Sequence, residues 1–111
     1  MSEEHVTLRQ KQSRFAHLLA KLIVWIHMQE WDVTLGDGYV HDARGHMPGS
    51  LHSMRLAQDL NLFVDGKWIR DGGDPRWTQV GEYWERLDPL CRWGGRFRDA
   101  NHFSLTHDGK A

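Results

Sequence analysis

Disulfide chemistry is missing from this sequence. Cys91 is the single cysteine among 111 residues, so no internal bridge can form and nothing in the chain calls for an oxidising compartment. A surplus of charge of one sign is missing as well. Fourteen basic residues stand against fifteen acidic ones, a net charge of -1 with histidine neutral. That balance leaves no electrostatic footprint for a polyanion and argues against nucleic acid as a partner. Long apolar runs are also lacking. The richest stretch, Leu18 to Met28, is interrupted by Lys21 and His27 and is too short to span a bilayer, so no stable membrane insertion is expected. The opening Met1-Ser2-Glu3-Glu4 is acidic and lacks the basic n-region of a secretory signal. A product made in the cytoplasm is therefore expected. The chain contains no internal repeat and no low-complexity tract.

Enough apolar material is present for one core. Hydrophobic residues make up 40% of the chain and include six Trp. A chain of this length buries roughly two-thirds of its unfolded surface. One domain over residues 1–111 is expected, in a monomer, with a helix in 1–32, a motif-bearing region in 33–105 and a polar, frayed tail in 106–111.

The first third reads as one amphipathic helix from about Val6 to Trp31. Phe15, Leu18, Leu19, Leu22, Ile23 and Ile26 recur at three- and four-residue intervals as one apolar stripe. Arg9, Lys11, Arg14 and Lys21 decorate the rest, a pattern open to a membrane-surface reading, although packing on the domain's own sheet accounts for it more simply. β-branched Val33 and Thr34 begin a short strand, and Gly36-Asp37-Gly38 marks a turn. Tyr39 to Ser50 reads as an extended polar loop of a length that is often functional. Leu56 to Val64 reads as a strand, Asp65-Gly66 as a hairpin turn, and Lys67-Trp68-Ile69 as the returning strand. A second loop from Arg70 to Pro75 leads to a helix over roughly Trp77 to Leu87, which Asp88-Pro89 ends. Trp93-Gly94-Gly95 reads as a tight turn, and His102 to Leu105 as a last short strand. The predicted class is α+β: a small antiparallel sheet with a long N-terminal helix and a second helix.

Eight histidines identify nothing by number, so spacing must choose among them. A catalytic zinc takes three ligands from His and carboxylate and leaves a fourth position open. His52 and Asp59 supply two if the intervening chain loops back, and His102 supplies a third from a neighbouring strand. Asp99, three residues before His102, then lies close to the ion without ligating it, where a carboxylate can accept a proton from water and return it to a leaving amine. Spacing alone also admits a plainer reading, a loop histidine beside a strand-terminal aspartate.

Two blocks in order sharpen the choice. Ser50-x-His52-x-x-x-x-Ala57-x-Asp59-Leu60, then Trp93-Gly94-Gly95 followed by Asp99-x-x-His102-Phe103, resembles the motif set of the VanY-like D-Ala-D-Ala carboxypeptidase and L-alanyl-D-glutamate endopeptidase family, which includes many phage endolysins. The resemblance spans about Val33 to Leu105. It implies a hedgehog/D-Ala-D-Ala peptidase-like fold, a Zn2+ cofactor held by His52, Asp59 and His102, and Asp99 as catalytic acid/base. It further implies peptidoglycan peptide as substrate, with the L-Ala-D-Glu type of bond as the endolysin target, action on the wall after release, and a holin partner. Arg55 stands where the family has Gly. Asp99 replaces the longer Glu of the carboxypeptidase branch, which points to the endolysin-like branch. The family's oxyanion-stabilising Arg has Arg44 as its nearest match.

Other residues carry two readings each. Ser50 orients a metal ligand and contacts substrate, or is a simple turn residue. Tyr39 and Trp93 line the substrate cleft, and Trp84 is a further candidate, but Trp93 and Trp84 also suit the core. His41 and His46 line the site or are solvated, and His5, His17, His27 and His107 are unrelated to metal. Cys91 has no activating base nearby and is not expected to be a nucleophile. Two other functions remain open: a D-Ala-D-Ala carboxypeptidase, and a non-catalytic wall-binding or virion module that keeps the fold.

Overall fold

The computed structural model describes residues 6–38 and 50–111. Its first helix starts where the chain caps itself. The Thr7 hydroxyl accepts the Gln10 N–H at 3.1 Å while Gln10 Oε1 accepts the Thr7 N–H at 2.9 Å, so two orphan donors are satisfied reciprocally. From this cap α1 runs over Leu8–Met28. It is shorter at both ends than the expected Val6–Trp31, because Thr7 is extended and Glu30 turns into the left-handed region at φ 65. The buried stripe is Phe15, Leu18, Leu22 and Ile26, with Leu19 packed half-buried beside it.

The strands follow as β1 (Asp32–Leu35), β2 (Ala57–Val64), β3 (Lys67–Trp68), β4 (Cys91–Trp93) and β5 (His102–Leu105), with α2 (Pro75–Leu87) between β3 and β4. All pairings are antiparallel, in the order β1-β2-β5-β4, and β3 also pairs with β2. Phe63 of β2 has Asp32 of β1 on one side and Trp68 of β3 on the other. Consequently β3 and β5 lie one after the other along the same edge of β2. The α+β class expected from the sequence is the class observed.

One sheet face is the core. Leu60, Leu62, Phe103 and Leu105 alternate inward and meet Trp77, Val80 and Trp84 of α2 and the stripe of α1. Trp84 is central. Its ring meets Phe15 and Phe103 edge-on, with centroids 5.8 and 6.1 Å apart. Its indole N–H donates to the Arg92 and Ser104 carbonyls, both at 3.2 Å, so this fully buried indole brings no unpaired donor inside.

The second half of the chain departs from expectation in two places. The tight turn expected at Trp93-Gly94-Gly95 is the end of β4 followed by a short 3-10 helix, Gly94–Phe97. Cys91 and Trp93 point inward while Arg92 points out, a two-residue period too brief to stand out in the sequence. The tail is held, not frayed. The Thr106 N–H donates to Leu90 O at 2.9 Å, Lys11 Nζ donates to Thr106 O at 3.2 Å, and His107 and Lys110 exchange backbone bonds. Among the described residues no helix is long and apolar enough to cross a membrane.

Candidate metal centre

Asp59 and His102 occupy opposite positions in the β2–β5 register, so both side chains leave the same face of the sheet. Asp59 Oδ1 lies 3.3 Å from His102 Nδ1. His52 arrives from outside the sheet, on the turn Leu51 to Arg55, where successive backbone bonds wind the chain back towards β2. Its Nε2 lies 3.4 Å from the same Asp59 oxygen. Each of the three residues offers one ligand atom, and these atoms all fall within 4.8 Å of one another. The imidazoles are 2% and 6% exposed.

The orientation of His52 is set by the backbone. Its Nδ1 lies 2.8 Å from the Gly38 carbonyl. A carbonyl oxygen only accepts, so Nδ1 carries a proton towards Gly38 and Nε2 is the nitrogen that faces Asp59. Ser50 contributes one step further out: its Oγ accepts the His52 N–H at 3.2 Å and so shapes the turn that carries the ring. Gly38 was legible in the sequence only as part of a turn. A backbone acceptor has no residue type by which to recognise it.

His102 depends on the Trp-Gly-Gly segment. The Gly94 carbonyl accepts the Asp99 N–H at 2.8 Å, and the Asp99 carbonyl accepts the His102 N–H at 3.0 Å. A Cβ on Gly94 would overlap the Asp99 carbonyl and come within 2.7 Å of His102 Cβ. Only the bare backbone lets the loop close this tightly. Asp99 is half-exposed, with its Oδ2 4.0 Å from His102 Nδ1, beside the trio and beyond hydrogen-bonding distance of it.

The electrostatics suit a cation. Asp59 Oδ1 is buried and has no hydrogen-bond partner, although two imidazole nitrogens flank it. Burial would raise the Asp59 pKa, but His102 and His52 outweigh that effect and hold it at about 2. Burial lowers the His52 pKa, while Asp59, the Gly38 carbonyl and the charge of Asp37 raise it to a net value above the usual 6.5. A half-buried carboxylate with no proton of its own, its inner oxygen facing two ring nitrogens, is the donor set of a divalent ion with N and O preference. These residues fit zinc.

A family model described as D-alanyl-D-alanine carboxypeptidase matches residues 44–105, more than half of the chain. The chain belongs to the D-alanyl-D-alanine carboxypeptidase family. No curated protein matches it. The carboxypeptidase-family match starts further along the chain than the expected Val33 and ends at the expected residue, Leu105. It encloses all three residues of the trio together with Asp99.

The remaining expected site residues divide three ways. Arg44 and Tyr39, like His41 and His46, lie outside the described residues. Trp93 corrects the expectation that it lines the substrate cleft: it is 5% exposed, its indole N–H donates to Ala100 O at 2.7 Å, and its ring fills the space where a Cβ on Gly95 would stand. It braces the loop behind His102. Trp84 is likewise a core residue. Burial pushes the Cys91 thiol up to about 12, which makes it inert.

Proposed function

We propose that this chain is a zinc-dependent peptidoglycan peptidase of the phage or prophage endolysin type, hydrolysing an L-Ala-D-Glu-type amide of the peptide stem. The observation that carries this reading is the convergence of His52, Asp59 and His102, one ligand atom from each within 4.8 Å of the others, with the Asp99 carboxylate beside them. His52, Asp59 and His102 hold the ion. When bound, zinc supplies Lewis-acid chemistry, lowering the pKa of water to about 7 and polarising an amide carbonyl. Asp99 takes the proton from the attacking water on its carboxylate and returns it to the leaving amine. Its half-exposed position beside the trio suits a group that must meet both water and substrate. Arg44 is assigned to the developing oxyanion, and passage to the wall is assigned to a holin partner.

A second reading, removal of a terminal D-Ala, is favoured by the description of the matching family. Mass analysis of muropeptides after digestion separates the two. Fragments cut within the stem support the endopeptidase, and release of D-Ala alone supports the carboxypeptidase. Turbidity of permeabilised cells tests catalysis itself, since bound walls that do not clear, with or without chelator, indicate a binding module. Asp99→Ala should abolish clearing, with a loss of about 10²- to 10⁴-fold, while zinc stays bound. Full activity in that variant would remove Asp99 from the mechanism.

A further inference from the structure

A groove of about 340 Å³ opens where β3 and β5 part from each other along their shared edge of β2. Leu60 and Asn101 contribute to its lining and are tied together, the Leu60 N–H donating to Asn101 O at 2.9 Å. Their chain neighbours are Asp59 and His102, so the groove continues the strand pair that carries the candidate metal ligands. Asp99 also lines it. A substrate that presents its reacting amide to Asp99 therefore has this groove for its adjoining residues.

The groove is cationic and partly aromatic. Arg98 and Arg70 line it, and both are exposed. Neither has an ion-pair partner among the described residues, whereas Arg14, Arg76 and Arg96 are paired with Asp88, Asp74 and Glu85. The Arg70 guanidinium lies over the Trp68 ring, 4.7 Å from its centroid, and Trp68 remains 51% exposed. Arg98 sits at φ 66, a left-handed backbone that disfavours any side chain and favours glycine. Asp99 is the one carboxylate in the lining, so the two guanidinium groups outnumber it.

We propose that this groove receives a carboxylate-bearing segment of the peptide substrate, with Arg98 and Arg70 pairing to the carboxylate and Trp68 lying against the adjoining apolar part. The proposal deepens the peptidase reading above and rests on it. Guanidinium groups suit this task because their fork matches a carboxylate in two-point geometry.

The test uses two synthetic stem peptides that differ only in one carboxylate replaced by carboxamide. Calorimetric titration into the full chain should give tighter binding of the acid by about 5- to 10-fold, as expected for solvent-exposed charge pairs. The preference should shrink in high salt. Arg98→Gly, Arg70→Ala and the double variant should lose it, and with the zinc-loaded protein the loss should appear as a higher KM with kcat kept. Arg98→Gly should melt no lower than the parent, which separates lost recognition from lost folding. Equal binding of acid and amide by the parent chain, or a preference that survives in the double variant, overturns the groove. If both peptides are cut with equal KM, the groove fails and the peptidase reading stands. If the acid is preferred through Arg98 but neither peptide is cut, the groove stands and the peptidase reading fails.

Discussion

Asp59 and His102 face each other across two antiparallel strands, with Asp59 Oδ1 3.3 Å from His102 Nδ1. Strand pairing, not a flexible loop, therefore fixes two of the three candidate ligands, and only His52 depends on a turn. Removing one member should be felt mainly in the metal. His102→Ala should lower zinc affinity by at least about 100-fold, beyond the usual effect of disturbing an outer partner of a ligand. Exposed His27 offers the control, since His27→Ala should leave affinity unchanged. Metal content after dialysis checks both. Stoichiometric zinc in His102→Ala would remove that residue from the ligand set.

Gly94→Ala should damage the same site from behind. The added methyl meets the Asp99 carbonyl, on the loop braced by the buried Trp93, and His102 Cβ, at the start of β5. Overpacking of this kind costs about 1–3 kcal/mol, and relaxation has to move Asp99 or His102. Urea unfolding should show the loss, and zinc should bind more weakly than in the parent. Unaltered zinc affinity alongside reduced stability would mean that the loop yields elsewhere.

The trio was legible because both strands were. Leu56 to Val64 and His102 to Leu105 carry enough apolar alternation to be read as strands, and once they pair, Asp59 and His102 have few places to go. Residue type and spacing left a plainer reading open, and the resemblance of the two motif blocks to the peptidase family decided for an ion. What escaped the sequence depends on backbone and on edges. The Gly38 carbonyl that orients His52 belongs to no residue type, and β4 is too short for its period to register. The groove between β3 and β5 exists because two strands share one edge of β2, a pairing that no local pattern encodes. Trp93 was ambiguous for another reason. An indole suits a cleft as well as a core, and only the glycine beside it, clearing space for the ring, decides in favour of the core.

Arg55 tests whether the motif's expected glycine reflects backbone geometry. The sequence places Arg where the family has Gly, and the structure gives that residue φ 58, a left-handed conformation that costs an L side chain about 1–2 kcal/mol. Arg55→Gly removes this cost and adds about 0.5–1 kcal/mol of unfolded-state entropy against it. The backbone terms alone favour glycine by about 0.5–1 kcal/mol, a rise of a few degrees in Tm, from which the interaction lost with the Arg55 side chain subtracts. Zinc affinity should be kept, since the turn that carries His52 is unchanged. A fall in stability would show that the contacts of the Arg55 side chain outweigh the backbone strain.

The two shifted groups of the trio make the metal-free and zinc-loaded proteins respond to pH in opposite senses. Without metal, the raised pKa of His52 stabilises the fold fully below the ordinary value of 6.5, and this contribution is lost as pH rises through the raised value. The lowered pKa of Asp59 contributes above 3.8 and is lost as pH falls through about 2. Both contributions are in force between those limits, so acidifying the metal-free protein from neutral pH to 6.5 should raise its Tm through this pair. Zinc reverses the trend because a protonated imidazole cannot ligate. Over the same interval zinc affinity should weaken, so the stabilisation that zinc supplies should shrink and the Tm of the loaded protein should fall towards that of the metal-free form. Melting curves across this range, with saturating zinc and with chelator, should therefore converge on the acid side. Parallel curves would mean that no proton is displaced from His52 on binding, and His52 would then have no place among the ligands.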